Sequence, residues 1–167
     1  MQPSLIHVPT EKDEVDTPEW LARDIVKHFR PAGVCLDPCR GDGAFYKLLP
    51  AGSEWCEIKN GCDFYAWTKP AMWIVGNPPY SNLLAWIRHS FTIGNNILYL
   101  MPLHRAFASS EFLDDLRQWG GVVEIRHYGT GTDAGFPFGH ALAAVHYRKG
   151  FTGKQAWSRY RPHPLNS

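Results

Sequence analysis

Met72-Trp73-Ile74-Val75-Gly76-Asn77-Pro78-Pro79-Tyr80 is the stretch from which the rest of the chain is best read. Four apolar residues suited to a buried strand run into a glycine, an amide side chain, two prolines and an aromatic ring. The prolines hold φ near about −65° and remove two backbone donors, so the carbonyls beside them face a partner without competition from ladder hydrogen bonds. Asn77 adds its side-chain oxygen as a second acceptor. Two acceptors held side by side, followed by a ring able to stack, suit a planar group bearing an exocyclic amine.

Working outward, Asp16-Thr17-Pro18-Glu19-Trp20 starts a helix. Thr17 can cap it, Pro18 suits its first position and Glu19 favours the positive end of its dipole, so a helix is expected to about Phe29, before Pro31. Gly33 to Asp37 reads as a short buried strand, and Pro38-Cys39-Arg40-Gly41-Asp42-Gly43-Ala44-Phe45 as the turn into a helix ending near Pro50. Gly41 and Gly43 let backbone approach a ligand at the strand's carboxyl end, where an open α/β sheet forms its binding crevice. The dinucleotide pattern Gly-x-Gly-x-x-Gly is incomplete because residue 46 is Tyr, which weakens a dehydrogenase reading. Ser53 to Ile58 is expected as a second strand, with Glu57 twenty residues after Asp37 and placed to bind two ribose hydroxyls. After the Pro-Pro turn come a helix over Asn82 to Phe91, a strand over Ile97 to Met101 and a helix over Glu111 to Trp119. Two last strands, Val122 to Tyr128 and Ala141 to Tyr147, are joined by a glycine-rich loop from Gly129 to Gly139. Strands alternating with helices and closing on a hairpin predict an α/β fold, a mostly parallel sheet with an antiparallel edge.

Asn77-Pro78-Pro79-Tyr80 after an apolar strand resembles the catalytic motif of S-adenosylmethionine-dependent amino-methyltransferases, especially those acting on N6 of adenine in DNA. The string Asp-Pro-x-x-Gly-x-Gly-x-Phe, residues 37 to 45, resembles their cofactor loop. The resemblance covers roughly positions 16 to 147. It implies a Rossmann-like class I methyltransferase fold with S-adenosyl-L-methionine as cofactor and catalytic roles for Asn77, Pro78, Pro79 and Tyr80. The Asn77 side chain and the Pro78 carbonyl would accept hydrogen bonds from the target amine, drawing its nitrogen toward sp3, while Tyr80 stacks on a base swung out of its duplex. Cofactor contacts implied in the same way fall on Thr17 and Pro18, on Asp37, Pro38, Cys39, Gly41, Gly43 and Phe45, on Glu57, and on Asp63 and Phe64, where an acid would take the adenine amine and a ring cover it. Asp37 would hold the methionine ammonium. Arg40 and Asp42 are bulkier and more charged than the loop residues usual in that family. An aromatic in the last hairpin, Phe136 or Phe138, would wedge the flipped base; a hydrophobic plug under the loop is the other reading.

With 167 residues the chain is expected to form a catalytic domain over 1–150, followed by a tail over 151–167. The start lacks a signal-peptide pattern and no apolar run approaches a bilayer span, so a protein of the cytoplasm of a bacterial or phage-infected cell is expected, with no membrane partner. Cysteines 35, 39, 56 and 62 make no Cys-x-x-Cys pair and the histidines are scattered. Four reduced thiols and no metal site are therefore expected. A net charge of +1 does not announce a nucleic-acid protein, but its distribution is uneven. Six acids lie between Glu11 and Asp24, and none follows Asp133. Beyond it, Arg148, Lys149, Lys154, Arg159 and Arg161 alternate with Phe151, Trp157 and Tyr160, a mixture able to track phosphates and stack on bases. A solvated, partly disordered tail after Gly153 is the competing reading. No separate target-recognition domain is visible, so low or short-motif specificity is expected, or a homodimer or a partner that supplies recognition. DNA is the expected substrate. Alternatives are adenine in RNA, a protein glutamine amide, cytosine N4, and an inactive nucleic-acid-binding subunit of the same fold. The compact catalytic core is similar to those of bacteriophages and mobile elements.

Overall fold

The computed structural model describes residues 15–162. The N-terminal segment read for a targeting signal, the acids at 11, 13 and 14, and the last five residues of the tail lie outside that range. A seven-stranded sheet runs in the order β2-β1-β3-β4-β6-β5-β7. Its strands are β1 (Cys35–Asp37), β2 (Glu54–Trp55), β3 (Ala71–Gly76), β4 (Gly94–Pro102), β5 (Gly120–Thr130), β6 (Ala141–Lys149) and β7 (Ala156–Arg159). Only β6 runs against its neighbours, pairing antiparallel with β4 and β5. All other pairings are parallel. The fold is thus the expected mixed α/β one.

Strands covered on both faces read as unbroken apolar runs, and this is how β3 and β4 behave. Ile74, Ile97 and Tyr99 enter one core with Leu83, Trp86 and Ile87 of α2 (Leu83–Ile93). Phe112 and Leu116 of α4 (Ser110–Trp119) complete it. Their sequence neighbours Val75, Leu98 and Leu100 face the other side and meet Leu21, Ala22 and Ile25 of α1 (Glu19–Phe29). Two short helices, α3 (Leu103–Ala106) and α5 (Gly131–Ala134), sit in the loops after β4 and β5. No described helix is long and apolar enough to cross a membrane.

A half-buried network pins α1 to β5. Arg126 donates two hydrogen bonds to the Asp24 carboxylate, at 2.9 and 3.3 Å, and the Tyr128 hydroxyl donates a third at 2.7 Å. Burial opposes the charge on Asp24, but these bonds outweigh it and hold the carboxyl below its ordinary range. His28 and Ser158 both meet Glu124, tying α1, β5 and β7 together. On the sheet, His146 is buried, stacked on Trp73 at 4.7 Å with its Nε2 2.9 Å from the Asn96 amide oxygen.

Several local expectations are corrected. The helix expected up to Pro50 is a single 3-10 turn, Tyr46–Leu48. Leu49 is already extended because the ring of Pro50 disfavours a helical residue before it. The strand expected over Ser53 to Ile58 shrinks to two residues, after which Glu57 turns to cap a second 3-10 turn, Ile58–Asn60. That turn, with Gly61 at φ 79°, folds the chain back within six residues and brings the Cα atoms of Cys56 and Cys62 to 5.2 Å. The two are joined in a disulfide, so the reading of four reduced thiols is overturned; Cys35 and Cys39 are free. The segment read as a solvated tail holds β7, added parallel to β5 through Ala156 to Arg159.

Candidate active site

The strand order reverses between β2-β1 and β3, a topological switch that opens a crevice beyond the carboxyl ends of β1 and β3. A cavity of about 370 Å³ lies there, within the range of small-molecule sites. Of the residues singled out in the sequence, Pro38, Cys39, Gly41, Glu57, Asp63, Phe64, Asn77 and Pro79 line it. Asp37, Gly43, Phe45, Pro18, Pro78 and Tyr80 do not. Phe45 is buried in the core beneath α1, and Thr17 reaches the cavity only through Asn77.

Asp37 ends β1 and is 1 % exposed. Its two oxygens accept the backbone N–H groups of Cys39, at 3.3 Å, and Tyr46, at 3.1 Å. Burial pushes its carboxyl up to about 7 against the opposing pull of those bonds. Both oxygens are thus turned into the glycine loop, holding its shape. Gly41 and Gly43 stand at φ 53° and 87°, left-handed values that glycine adopts without strain.

Glu57 bridges the two sides of the cavity. One of its oxygens accepts the Gly41 N–H at 2.8 Å and the other the Lys59 N–H at 3.3 Å. Asp63 accepts the Tyr65 N–H at 2.9 Å through one oxygen. The Phe64 ring lies 4.6 Å from that of Trp86, tilted against it by 33°. Asp16, Tyr65 and Trp86 also line the cavity and were missed in the sequence. Asp16 and Tyr65 adjoin residues that were chosen, and Trp86 falls outside the apolar period read at 83, 84, 87 and 91.

The Asn77 amide is oriented from three sides. Its nitrogen donates to the Thr17 hydroxyl at 3.1 Å and to the Val15 carbonyl at 3.3 Å, and its oxygen accepts the Tyr80 hydroxyl at 2.6 Å. Thr17 is therefore spent on Asn77: Pro18, not Thr17, occupies the N-cap position of α1, and no side chain caps it. With both amide hydrogens taken by the approach to α1, the oxygen accepts the Tyr80 hydroxyl and keeps one of its two lone pairs for a ligand. Burial drives the Tyr80 phenol far above its ordinary value, so it stays a donor. Thr17→Val should lower turnover about tenfold with little change in cofactor affinity, a split that steady-state kinetics and calorimetry would reveal.

Gly76 lets the two loops meet. A Cβ there would stand 3.2 Å from the Asp37 carboxylate and 3.3 Å from the Cys39 sulfur. Gly76→Ala should cost about 1–2 kcal/mol by crowding, measured as a lower urea midpoint at constant slope.

The remaining candidates divide. Phe138 meets the Tyr80 ring edge-on at 5.9 Å, whereas Phe136 is buried in the core beneath α1. Arg148 pairs with Asn96 and Lys149 with Gly120, at the end of the sheet away from Gly76, and Lys154 lies in the turn leading from that end into β7. Arg159 pairs with His127 and, with Arg161, lies toward the end that carries Asn77. Among the described residues no group of three or more His, Cys, Asp or Glu is gathered as a metal would require.

No family model matches the chain, and no curated protein does. Solved structures do. A protein of Listeria monocytogenes assigned as a class I S-adenosylmethionine-dependent methyltransferase superposes with a TM-score of 0.62 at 12% identity, over 92% of this chain and 68% of its own. A modification subunit assigned to a type I restriction enzyme of Vibrio vulnificus YJ016 gives 0.62 at 12%, over 94% and 49%. A protein of Pyrococcus horikoshii assigned as an RNA methyltransferase gives 0.61 at 14%, over 86% and 91%. This chain spans about half the length of the Vibrio subunit. The fold is the Rossmann-like fold these proteins share.

Proposed function

We propose that the chain transfers a methyl group from S-adenosyl-L-methionine to the N6 amine of adenine in DNA. The observation that carries this reading is the Asn77 amide, fixed by Thr17 and Val15 with its oxygen bonded to Tyr80, in the lining of a cavity that also offers Glu57, Asp63 and aromatic rings. The donor set fits the cofactor: a carboxylate for a ribose diol, a second for an aryl amine, and aromatic faces for a purine. Glu57, Asp63 and Phe64 would hold the adenosyl part, and the loop shaped by Asp37 would face the methionine part. When bound, the cofactor supplies an electrophilic methyl on a sulfonium.

The chain's own residues position and polarise the amine. The Asn77 oxygen and the Pro78 carbonyl accept its two hydrogens, so the lone pair leaves conjugation with the ring and faces the methyl carbon. The nitrogen–carbon bond would form as the sulfur–carbon bond breaks, which would leave a neutral thioether, and the methylated nitrogen would lose its proton to water. No strong base is needed, because the nitrogen becomes acidic only as it is alkylated. Catalysis is then mainly orientation and electrostatics. Recognition of sequence would come from another chain or domain, as the similarity to half of a type I modification subunit supports.

Adenine in RNA is the second reading, favoured by the 91% of the Pyrococcus protein that this chain covers. The test is incubation with tritiated S-adenosylmethionine and, separately, duplex DNA, single-stranded DNA and RNA, followed by digestion to nucleosides. Label in N6-methyladenine from DNA is expected. Label only in RNA would replace the substrate, and no label in any polymer would overturn the reading.

A further inference from the structure

Away from the cavity, a groove of about 840 Å³ runs between α1 and the β5–β7 edge. Its wall is α1: Trp20, Arg23 and Lys27 recur at spacings of three and four on one helix face, and Arg30 follows at the helix C-cap. Arg161, just past β7, faces them. Among the described residues, none of these four cations has an ion-pair or hydrogen-bonding side-chain partner. Two acids also line the groove. Asp24 is taken up by Arg126 and Tyr128, which leaves Glu19 as the opposing charge.

Rings stand at the end nearer the catalytic turn. Trp20 is 41% exposed and lies 5.1 Å from Tyr160, which in turn stacks on Tyr128 at 5.8 Å. Trp20 lies three residues beyond Thr17, the residue that holds Asn77, and a Cβ placed on Gly135, in the loop carrying Phe138, would stand 3.7 Å from Pro18. Tyr80 with Phe138, and the start of α1 with Trp20, thus lie on the same side of the molecule as the turn at Asn77. A row of cations with no described side-chain partner, ending at the exposed Trp20 ring, matches a strand with regularly spaced negative charges and unpaired bases.

We infer that this groove binds a single-stranded stretch of the polynucleotide flanking the target adenine, its phosphates on Arg23, Lys27, Arg30 and Arg161 and a base on Trp20. The inference rests on the nucleic-acid reading of the catalytic turn and adds where the strand lies. It also moves the basic surface from Arg148, Lys149 and Lys154, at the opposite end of the sheet, to α1.

The test is fluorescence anisotropy with fluorescein-labelled 20-mers of single-stranded DNA, duplex DNA and single-stranded RNA across a salt series. The proteins are wild type, Arg23→Gln/Lys27→Gln/Arg161→Gln, Trp20→Ala and, for comparison, Lys149→Gln/Lys154→Gln. The triple variant should lose at least tenfold in single-strand affinity and flatten the log–log salt slope by about 2, while its thermal shift with S-adenosylmethionine stays that of wild type. Trp20→Ala should weaken both single strands more than the duplex, and the comparison variant should bind as wild type does. The DNA and RNA arms decide which polymer the groove prefers. A triple variant with wild-type affinity and slope, in a protein that methylates nucleic acid, would overturn the groove alone. A wild-type protein that binds no polynucleotide would overturn the groove and the substrate reading together.

Discussion

Asn77→Ala is expected to lower methyl transfer by at least about a thousandfold while leaving S-adenosylmethionine affinity within about threefold of wild type. Removing one preorganised polar group aimed at the reacting atoms typically costs about 10²–10³ in rate. Here the same deletion also frees Tyr80, whose hydroxyl is held at 2.6 Å by the Asn77 oxygen. The carboxylates proposed to hold the cofactor, Glu57 and Asp63, are bonded to Gly41, Lys59 and Tyr65 and do not depend on Asn77. Asn77→Asp sharpens the test. It keeps an acceptor toward the substrate but sets an oxygen against the Val15 carbonyl, so partial activity is expected. Single-turnover transfer with tritiated cofactor, alongside calorimetric binding, separates the two effects. Equal loss of cofactor affinity and rate in Asn77→Ala would mean that the turn belongs to the cofactor site.

The second large effect is on stability against pH, and it comes from two buried groups of opposite sign. Asp37 has its carboxyl raised from 3.8 to about 7, mainly by burial. The folded state therefore keeps a proton that the unfolded state has lost, and the stability from this group, full below 3.8, drains away as pH rises toward 7. At about 1.4 kcal/mol per unit this amounts to about 4 kcal/mol. His146 is lowered from 6.5 to about 4, first by burial and then by Arg148. Its contribution is full above 6.5 and is lost as pH falls toward 4, about 3 kcal/mol in all. Over the shared window the two slopes oppose, and the wild-type curve should be nearly flat. Asp37→Asn should uncover the acid-side loss of His146, and His146→Phe the neutral-side loss of Asp37. Urea unfolding at half-unit steps from pH 4 to 8 would show both as difference curves. Parallel curves for all three proteins would mean that neither carries its proton as its burial requires.

The same residues show how far sequence reasoning reaches. The largely apolar runs at 72–75, 97–101 and 141–147 announced their strands because a strand covered on both faces demands apolar residues without alternation. The turn at Asn77 to Tyr80 was legible as a stiff end to β3 because prolines restrict backbone locally. What depends on distant partners was not legible. Nothing around Asp37 says that the N–H of Tyr46, nine residues on, would turn its carboxylate away from the cavity. Thr17 reads as a cap until Asn77, sixty residues away, is seen to claim its hydroxyl. Likewise, Cys56 and Cys62 have no recognisable spacing, and only the turn between them brings them together. The strand Ala156–Arg159 escaped because four mixed residues carry no period; the open edge of β5 supplies the template.

That last strand also governs how the molecule behaves in company. Without β7, the eleven-residue β5 would be the rim of the sheet, a long unsatisfied ladder able to recruit another chain. With it, both rims are short: two residues in β2 and four in β7, the latter bearing Arg159 and bonded to Glu124 through Ser158. Removing residues 154 to 167 should therefore show itself first as aggregation during purification, before any change in the catalytic pocket. β7 thereby keeps the long ladder of β5 from standing open at the rim of the sheet.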